Sequence, residues 1–506
     1  MSHWPSIPRR LLLRLAGAGL VASPAAAAAQ PGAARPVSAS EGAGPGTVGA
    51  APVDPWTVFF AGQRIWAYAD RVSFEPGEPL NVMMAAGPGQ PSRRVRLEVF
   101  RIGAADPTPV WTSDFVDVGY HGATASGAAI GPGWPPALGA IDTRAWPPGC
   151  YSADVVEQTT ATRDVKAAQW IVKNPKRSGA VLARLGTNTY QAYNPWGGHS
   201  LYPNGDDETR GLIVTYDRPT PPAFFEYDVW LVQWLEALAA SIGGVDYAAN
   251  FDIHADPGFM DPYPLVITGS HDEYWSGEEF AAFQRRIFTR GANTAFFGAN
   301  TAYCQVRYAD LNAAPGSVAQ GRQIVCFKTS SDPIARRAAA DADLLVTSNF
   351  RDRARRPETM LLGGAYQSWF ETTGPQQPPY LVARTDLPLF DGAGWKVGDT
   401  AAPVVGYEWD NRDPDGDGAR LWAAGRSHIP PIDPAAIQVL FRGQAIDADG
   451  KPGLAEATLY RSPAGAQVFN AGAVRWAWGL TKPGFTNPPF RRFNENLVRA
   501  LSRRGG

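Results

Sequence analysis

The sequence predicts an α/β protein: a mostly parallel sheet with helices on both faces, preceded by an all-β sandwich. Three observations predict it. From Pro55 to about Asn174, short β-rich runs are separated by turn residues, with no helical period. After the linker at Lys173–Gly179, apolar strand-like runs alternate with amphipathic helical patterns, the grammar of a parallel sheet. The third is the stretch Leu265–Trp275, an apolar run that breaks at Gly269 into the polar and aromatic cluster Ser270-His271-Asp272-Glu273-Tyr274-Trp275.

At 506 residues, two or three domains are expected. The net charge of −2 and the 19% charged residues give no basic footprint for nucleic acid. The 53 glycines and 45 prolines indicate many loops, and the 17 tryptophans suit either core packing or a flat ligand. Three cysteines, Cys150, Cys304 and Cys326, are too few for a disulfide framework; Cys304 and Cys326 form one bridge or stay as buried thiols. Arg9-Arg10-Leu11-Leu12-Leu13, the apolar Leu15–Val21 and the alanines Ala25–Ala29 read as a signal peptide over residues 1–30, of twin-arginine type. Export to the periplasm or beyond follows. No apolar run is long enough to span a membrane. Residues 31–54, rich in Ala, Gly, Pro and Ser, read as a disordered tether.

Residues 55–175 form the expected sandwich. Strands are predicted at Val58–Phe60, Ile65–Tyr68, Leu80–Met84, Val95–Ile102, Tyr151–Val156 and Gln169–Val172, and Val95–Arg101 alternates as a half-buried strand does. About seven strands in this space argue for an immunoglobulin-like arrangement. Tyr151, after Pro-Gly-Cys, reads as a packing tyrosine.

Residues 176–506 form the expected α/β domain. Ala180–Gly186 is a strand ending in the tyrosine- and amide-rich run Thr187–Asn194. Val229, Leu231, Val232, Trp234, Leu235 and Leu238 make a helical face, and Val245–Ala248 is the next strand. Leu265–Thr268 follows, and then Ser276 with Glu279 makes a capping box for a helix over Phe280–Arg290. Thr294–Gly298 is a strand ending at Asn300. Residues 341–426 read as loop-rich. Asp413–Gly418 imitates a calcium loop but has Ala424 where the bidentate glutamate belongs, so it reads as a turn. A late hairpin is expected at Ala457–Gly472 and a closing helix at Asn494–Arg503. Three strand ends therefore carry polar groups, Tyr190/Tyr193/Asn194, His271/Glu273 and Asn300, and a parallel sheet brings them to one edge, where ligands bind. Glu408, between two aromatics, is a further candidate carboxylate. The plain alternatives are a packed aromatic loop, a solvated helix cap and an exposed strand residue.

Asn188-Thr189-Tyr190-Gln191-Ala192-Tyr193-Asn194 with Trp196-Gly197-Gly198, then Tyr227-Asp228 before Trp234-Leu235-Glu236, then His271-Asp272-Glu273-Tyr274-Trp275, resembles the large subunit of N,N-dimethylformamidase, over roughly residues 150–500. The resemblance implies a class I glutamine-amidotransferase-like fold without the nucleophilic cysteine. It implies one Fe(III) per chain, held by two tyrosines and a glutamate: Glu273, Tyr193, and Tyr190 or else Tyr227. It gives His271, Asn300 and Glu408 supporting or substrate-contacting roles. Hard oxygen donors suit ferric iron, and a metal with an open position lowers the pKa of bound water and polarises an amide carbonyl.

Two functions compete. One is an exported iron-dependent hydrolase of a small amide. The other is a non-catalytic ligand- or carbohydrate-binding envelope protein with an inactive amidotransferase-like domain. Self-association stays open on the sequence.

Overall fold

The computed structural model describes residues 64–503, except 88, 122–132, 192–200, 202–210, 220–223, 310–320, 329–331, 337–344, 353–355, 370–378, 413–416, 426, 428–431 and 448. The expected signal segment, the tether, the strand at Val58–Phe60, Tyr193, Asn194 and most of the calcium-like turn lie outside the described residues.

The first sheets are built from alternating runs. A three-stranded sheet contains Ile65–Ala69, Leu80–Ala86 and Pro136–Ile141. A six-stranded sheet is built around Arg93–Arg101, Gly149–Glu157 and Arg163–Val172. Their inward residues, Ile65, Leu80 and Val82 from one and Val95, Leu97, Val99 and Trp170 from the other, share a single core, which makes the pair sandwich-like. Tyr151 packs as expected: its ring stacks on Trp146 at 5.5 Å and its hydroxyl donates to the Pro147 carbonyl at 2.5 Å.

The largest sheet has nine strands, in the spatial order Val245–Ala249, Val181–Leu185, Leu265–Thr268, Asn293–Phe296, Gln467–Asn470, Pro452–Arg461, Gln438–Ile446, Tyr380–Val382 and Thr400–Ala402. The first four pairings are parallel. The other four are antiparallel. The expected class, a mostly parallel α/β sheet with helices on both faces and the amidotransferase-like architecture that went with it, is therefore overturned. Among the described residues strand exceeds helix by 36% to 22%, and the sheets are mixed or antiparallel. The physical reason lies after Gln438. Two long strands joined by short turns return directly on each other, which antiparallel pairing allows and parallel pairing, with its long crossovers, does not.

Other expectations meet local corrections. The region 341–426 holds the paired strands Ala365–Trp369 and Glu408–Asn411, besides two strands of the nine-stranded sheet. The closing helix begins earlier than expected, at Pro488, where Asn487 accepts the Phe490 N–H and proline occupies a position that needs no donor. All three cysteines are free and buried. No helix of the described residues is long and apolar enough to cross a membrane.

Two helices fix the neighbourhood of the candidate site. Val229–Ile242 buries Leu231, Val232, Trp234 and Leu235 in one core with Val181, Leu185 and Ile267. Gly277–Phe288 buries Phe280, Phe283 and Ile287 in another with Leu182, Val266 and Phe296. Ser276 accepts the Glu279 N–H, so the cap read from sequence sets where this second helix starts.

Candidate active site

The strand Leu265–Thr268 is wholly buried and delivers the chain to a turn between its neighbours. That turn is held from several sides. Gly298 approaches so closely that a Cβ there would lie 2.1 Å from the Ser270 carbonyl oxygen, so only glycine allows the contact. His271 bridges Ala299, and the Ala302 and Tyr303 N–H groups donate to the Asp272 and Glu273 carbonyls, each at 3.0 Å. Ser270 N–H donates to Asp228 at 2.7 Å.

Extended backbone sends alternate side chains to opposite sides. Asp272 accordingly faces away from His271 and Glu273. It receives the Arg184 guanidinium bidentately at 2.6 and 2.5 Å, and Arg184 Nε reaches Glu279 at 3.1 Å. All three side chains are fully buried. Burial raises the Glu279 carboxyl above the usual range, against the pull of Arg184. Asp272 is thus spent on anchoring the turn.

His271 is buried between two carboxylates. Its Nε2 lies 3.1 Å from Glu408 Oε2 and 4.0 Å from Glu273 Oε2. Its Nδ1 lies 3.5 Å from the Tyr407 hydroxyl, which accepts a hydrogen bond from Tyr227 at 3.1 Å. The Tyr227 ring stands edge-on to the imidazole at 5.7 Å. Asn300, in the left-handed region at φ 55°, donates its side-chain amide to Glu408 at 3.4 Å and its backbone N–H to Asp410 at 2.8 Å. Glu273 is positioned by its N–H, which donates to Thr189 Oγ1 at 2.9 Å, and by the Cys304 thiol, 3.8 Å from its Oε1.

The structure therefore brings His271, Glu273, Asn300 and Glu408 together from strand ends far apart in sequence. Tyr190 is placed differently: its hydroxyl donates to Asp228, and burial together with that carboxylate pushes the phenol well above its usual value. Burial likewise raises Asp228 to about 6, with the Tyr190 and Ser270 hydrogen bonds opposing it. Burial raises Asp410 to about 7, offset in part by the Asn300 N–H. Tyr227 is raised too, by burial first, while Arg475 pulls it back. Tyr407 and Arg184 were not singled out by sequence, and Asp228 entered only as part of the Tyr227-Asp228 pair, with no role given. Tyr407 had a signal, since it adjoins Glu408 in a run of aromatics and carboxylates; Arg184 had none, being one charge inside an apolar strand.

Among the described residues no group of three or more His, Cys, Asp and Glu side chains is arranged to hold a metal ion. Carboxylate and phenol oxygens are the donor types that suit a hard trivalent ion, and among the described residues Glu273, Glu408, Tyr227 and Tyr407 stand around His271.

These features define a class: a sheet-rich protein whose strand ends enclose a buried imidazole between carboxylates, backed by tyrosines. The chain belongs to the N,N-dimethylformamidase beta subunit-like, C-terminal family, whose model matches residues 96–488. No curated protein matches it.

Proposed function

We propose that the chain is a hydrolase of the carbon–nitrogen bond of a small linear amide, with one ferric ion at its centre. The observation that carries this reading is the pairing of His271 with Glu408 at 3.1 Å beside Glu273, in a buried site whose other walls are tyrosines and Asn300. Family membership supports the reaction class.

An imidazole held by a carboxylate on one nitrogen is oriented to take a proton from an attacking water and to return it to the departing amine. Glu408 fixes the ring and favours the imidazolium that this transfer creates. The Asn300 amide, bonded to Glu408, holds that carboxylate and presents a polar group to the reacting carbonyl. Glu273 and Tyr227, with Tyr193, are the residues we assign to iron. Tyr227 is preferred to Tyr190 in the pair because the Tyr190 hydroxyl donates to a carboxylate, Asp228, whereas that of Tyr227 donates to a phenol, Tyr407. Iron, when bound, would activate the water and polarise the amide. The twin-arginine pattern at Arg9-Arg10 supports export of an already folded, metal-loaded protein.

The test is a visible spectrum and metal analysis of protein purified without added metal, beside Glu273→Ala, followed by an amide screen. A phenolate-to-iron band with near-stoichiometric iron, lost in the variant, and turnover of a small amide are expected. Protein that is colourless, and stays so when iron is offered, sinks the metal assignment and moves the reading to a binding role.

A further inference from the structure

Arg475 stands beside this site and takes no part in the reading above. It follows the strand Gln467–Asn470, in a segment fastened to the Glu408 strand: Ala473 bridges Trp409, and Val474 N–H donates to the Glu408 carbonyl at 3.4 Å. Gly406 makes room for it. Its φ of 83° is in the left-handed region, and a Cβ there would lie 2.6 Å from Val474 Cγ1 and 3.0 Å from Arg475 Cγ. The guanidinium consequently lies 5.7 Å from the ring centre of Tyr407, the residue that touches His271, and 4.2 Å from that of Trp478.

Arg475 is only 6% exposed. Its Nε is enclosed without an acceptor, so the remaining exposure falls to other atoms of the side chain. Among the described residues, no carboxylate forms an ion pair with it and no oxygen accepts from it. The nearby Glu226 carboxylate is already 3.3 Å from Lys482 Nζ, and Lys482 itself sits 3.1 Å from the Trp478 ring centre. Arg475 and Lys482 thus share this carboxylate, while Lys166, the third cation acting on it, has Asp154 as well. Arginine stays charged at any working pH, and enclosing its Nε–H without an acceptor is costly, so a guanidinium that has no anion of its own here calls for one.

We propose that Arg475 recognises a carboxylate on the substrate, so that the amide taken by this site is a carboxylated, monoanionic one. The inference rests on the amidohydrolase reading of the His271 site. One excess positive charge matches a monoanion. The planar fork and the flat walls of Tyr407 and Trp478 match a planar carboxylate better than a tetrahedral phosphate.

The probes are succinamate and its uncharged analogue butyramide, which has a methyl group in place of the carboxylate, with full-length metal-loaded protein. Binding is read by calorimetry, without turnover, and hydrolysis separately. Succinamate is expected to bind on the order of 10- to 100-fold more tightly than butyramide, the range of a charge-assisted pair. Arg475→Met should bring that ratio near one, and Arg475→Lys should keep part of it. Arg475→Met should also unfold at a higher temperature than the wild type, since it removes a buried unpaired charge, and this shows that the variant is folded. Equal binding of the two probes by the wild type overturns the proposal. So does a preference that survives in Arg475→Met, or an Arg475→Met protein less stable than the wild type, which would reveal a structural counter-charge. A protein that binds succinamate through Arg475 but hydrolyses no amide refutes the hydrolase reading alone. One that hydrolyses both amides equally well refutes the Arg475 proposal alone.

Discussion

A single residue, His271, shows how much of this site depends on its immediate partners. Its imidazole acts as a base best when Glu408, 3.1 Å away, holds it and balances the positive charge it gains. Glu408→Gln keeps the size and removes the charge, so kcat should fall by about 10²- to 10⁴-fold with little change in the thermal midpoint. Steady-state rates on the best amide of the screen check this, and a variant with wild-type kcat would remove His271–Glu408 from the chemistry. Two residues along the same strand, Asp410 makes a different prediction. Burial raises its carboxyl from 3.8 to about 7. The folded state therefore binds this proton more tightly than the unfolded chain does. The stability it contributes is fully present below about pH 4 and is lost as pH rises to about 7, a loss of about 4 kcal/mol for a shift of this size. Asp228, raised to about 6, acts in the same direction over a narrower window. Thermal midpoints of the wild type and Asp410→Asn, measured at pH 5 and 7.5, should show a smaller drop in the variant. Equal drops would mean that Asp410 is ionised in the fold over the whole range.

At the scale of elements, the turn between the strand Leu265–Thr268 and the helix Gly277–Phe288 is tied by the arginine of a neighbouring strand. Arg184 bonds Asp272 in the turn and Glu279 in the helix, and it stacks on Trp275 at 4.6 Å. Removing it leaves two buried carboxylates without a counter-charge. Arg184→Met should cost about 3–5 kcal/mol, and adding Asp272→Asn and Glu279→Gln should recover much of that loss. Urea unfolding checks both, and an Arg184→Met loss under about 1 kcal/mol would show that the pair is not structurally coupled. This turn also shows what sequence can disclose. The strand, its break at Gly269 and the Ser276 cap are local: a run of apolar residues, a permissive glycine and a hydroxyl three residues before a glutamate are enough to read them. The convergence of His271 with Asn300 was legible because both follow strands. Glu408 was found from its aromatic neighbours, and the late hairpin from its two β-rich runs, but the antiparallel pairing of Ala365–Trp369 with Glu408–Asn411 was not, because it joins segments whose proximity no local pattern records. Choosing among the tyrosines was beyond the sequence for the same reason: only the fold reveals that the Tyr190 hydroxyl meets Asp228 and that Tyr227 faces the imidazole.

At the scale of the whole molecule, the sheets are held as one body by their edges and by the last helix. Arg101 in the first sandwich-like unit grips Glu236 of the helix Val229–Ile242 at 2.8 and 2.9 Å, and Lys173 meets Asp252 at 2.8 Å. The helix Pro488–Leu501 lies almost wholly beyond the segment matched by the family model, which ends at 488, yet it closes the core under the antiparallel half of the large sheet. Phe490, Phe493, Leu497, Val498 and Leu501 are all buried in the same cluster as Phe441, Phe469 and Trp476. Trp476 donates to Asn494 at 2.8 Å, and Asn293 donates to the Leu501 carbonyl at 2.9 Å, so the helix is also fastened to the parallel half. Fully burying an apolar side chain of this size is worth about 1.5–3 kcal/mol. Five of them together match the net stability of an ordinary domain, about 5–15 kcal/mol. A chain stopped after Thr486 should therefore lose its cooperative thermal transition and bind a hydrophobic dye, while one stopped after Arg503 should melt as the full chain does. Differential scanning calorimetry with dye fluorescence decides the matter. The segment containing Arg475, Trp476 and Trp478 sits directly on this helix, so the shortened chain should also lose the His271 site. A cooperative transition at the full-length temperature, with the site intact, would show that the helix only covers a core that stands without it.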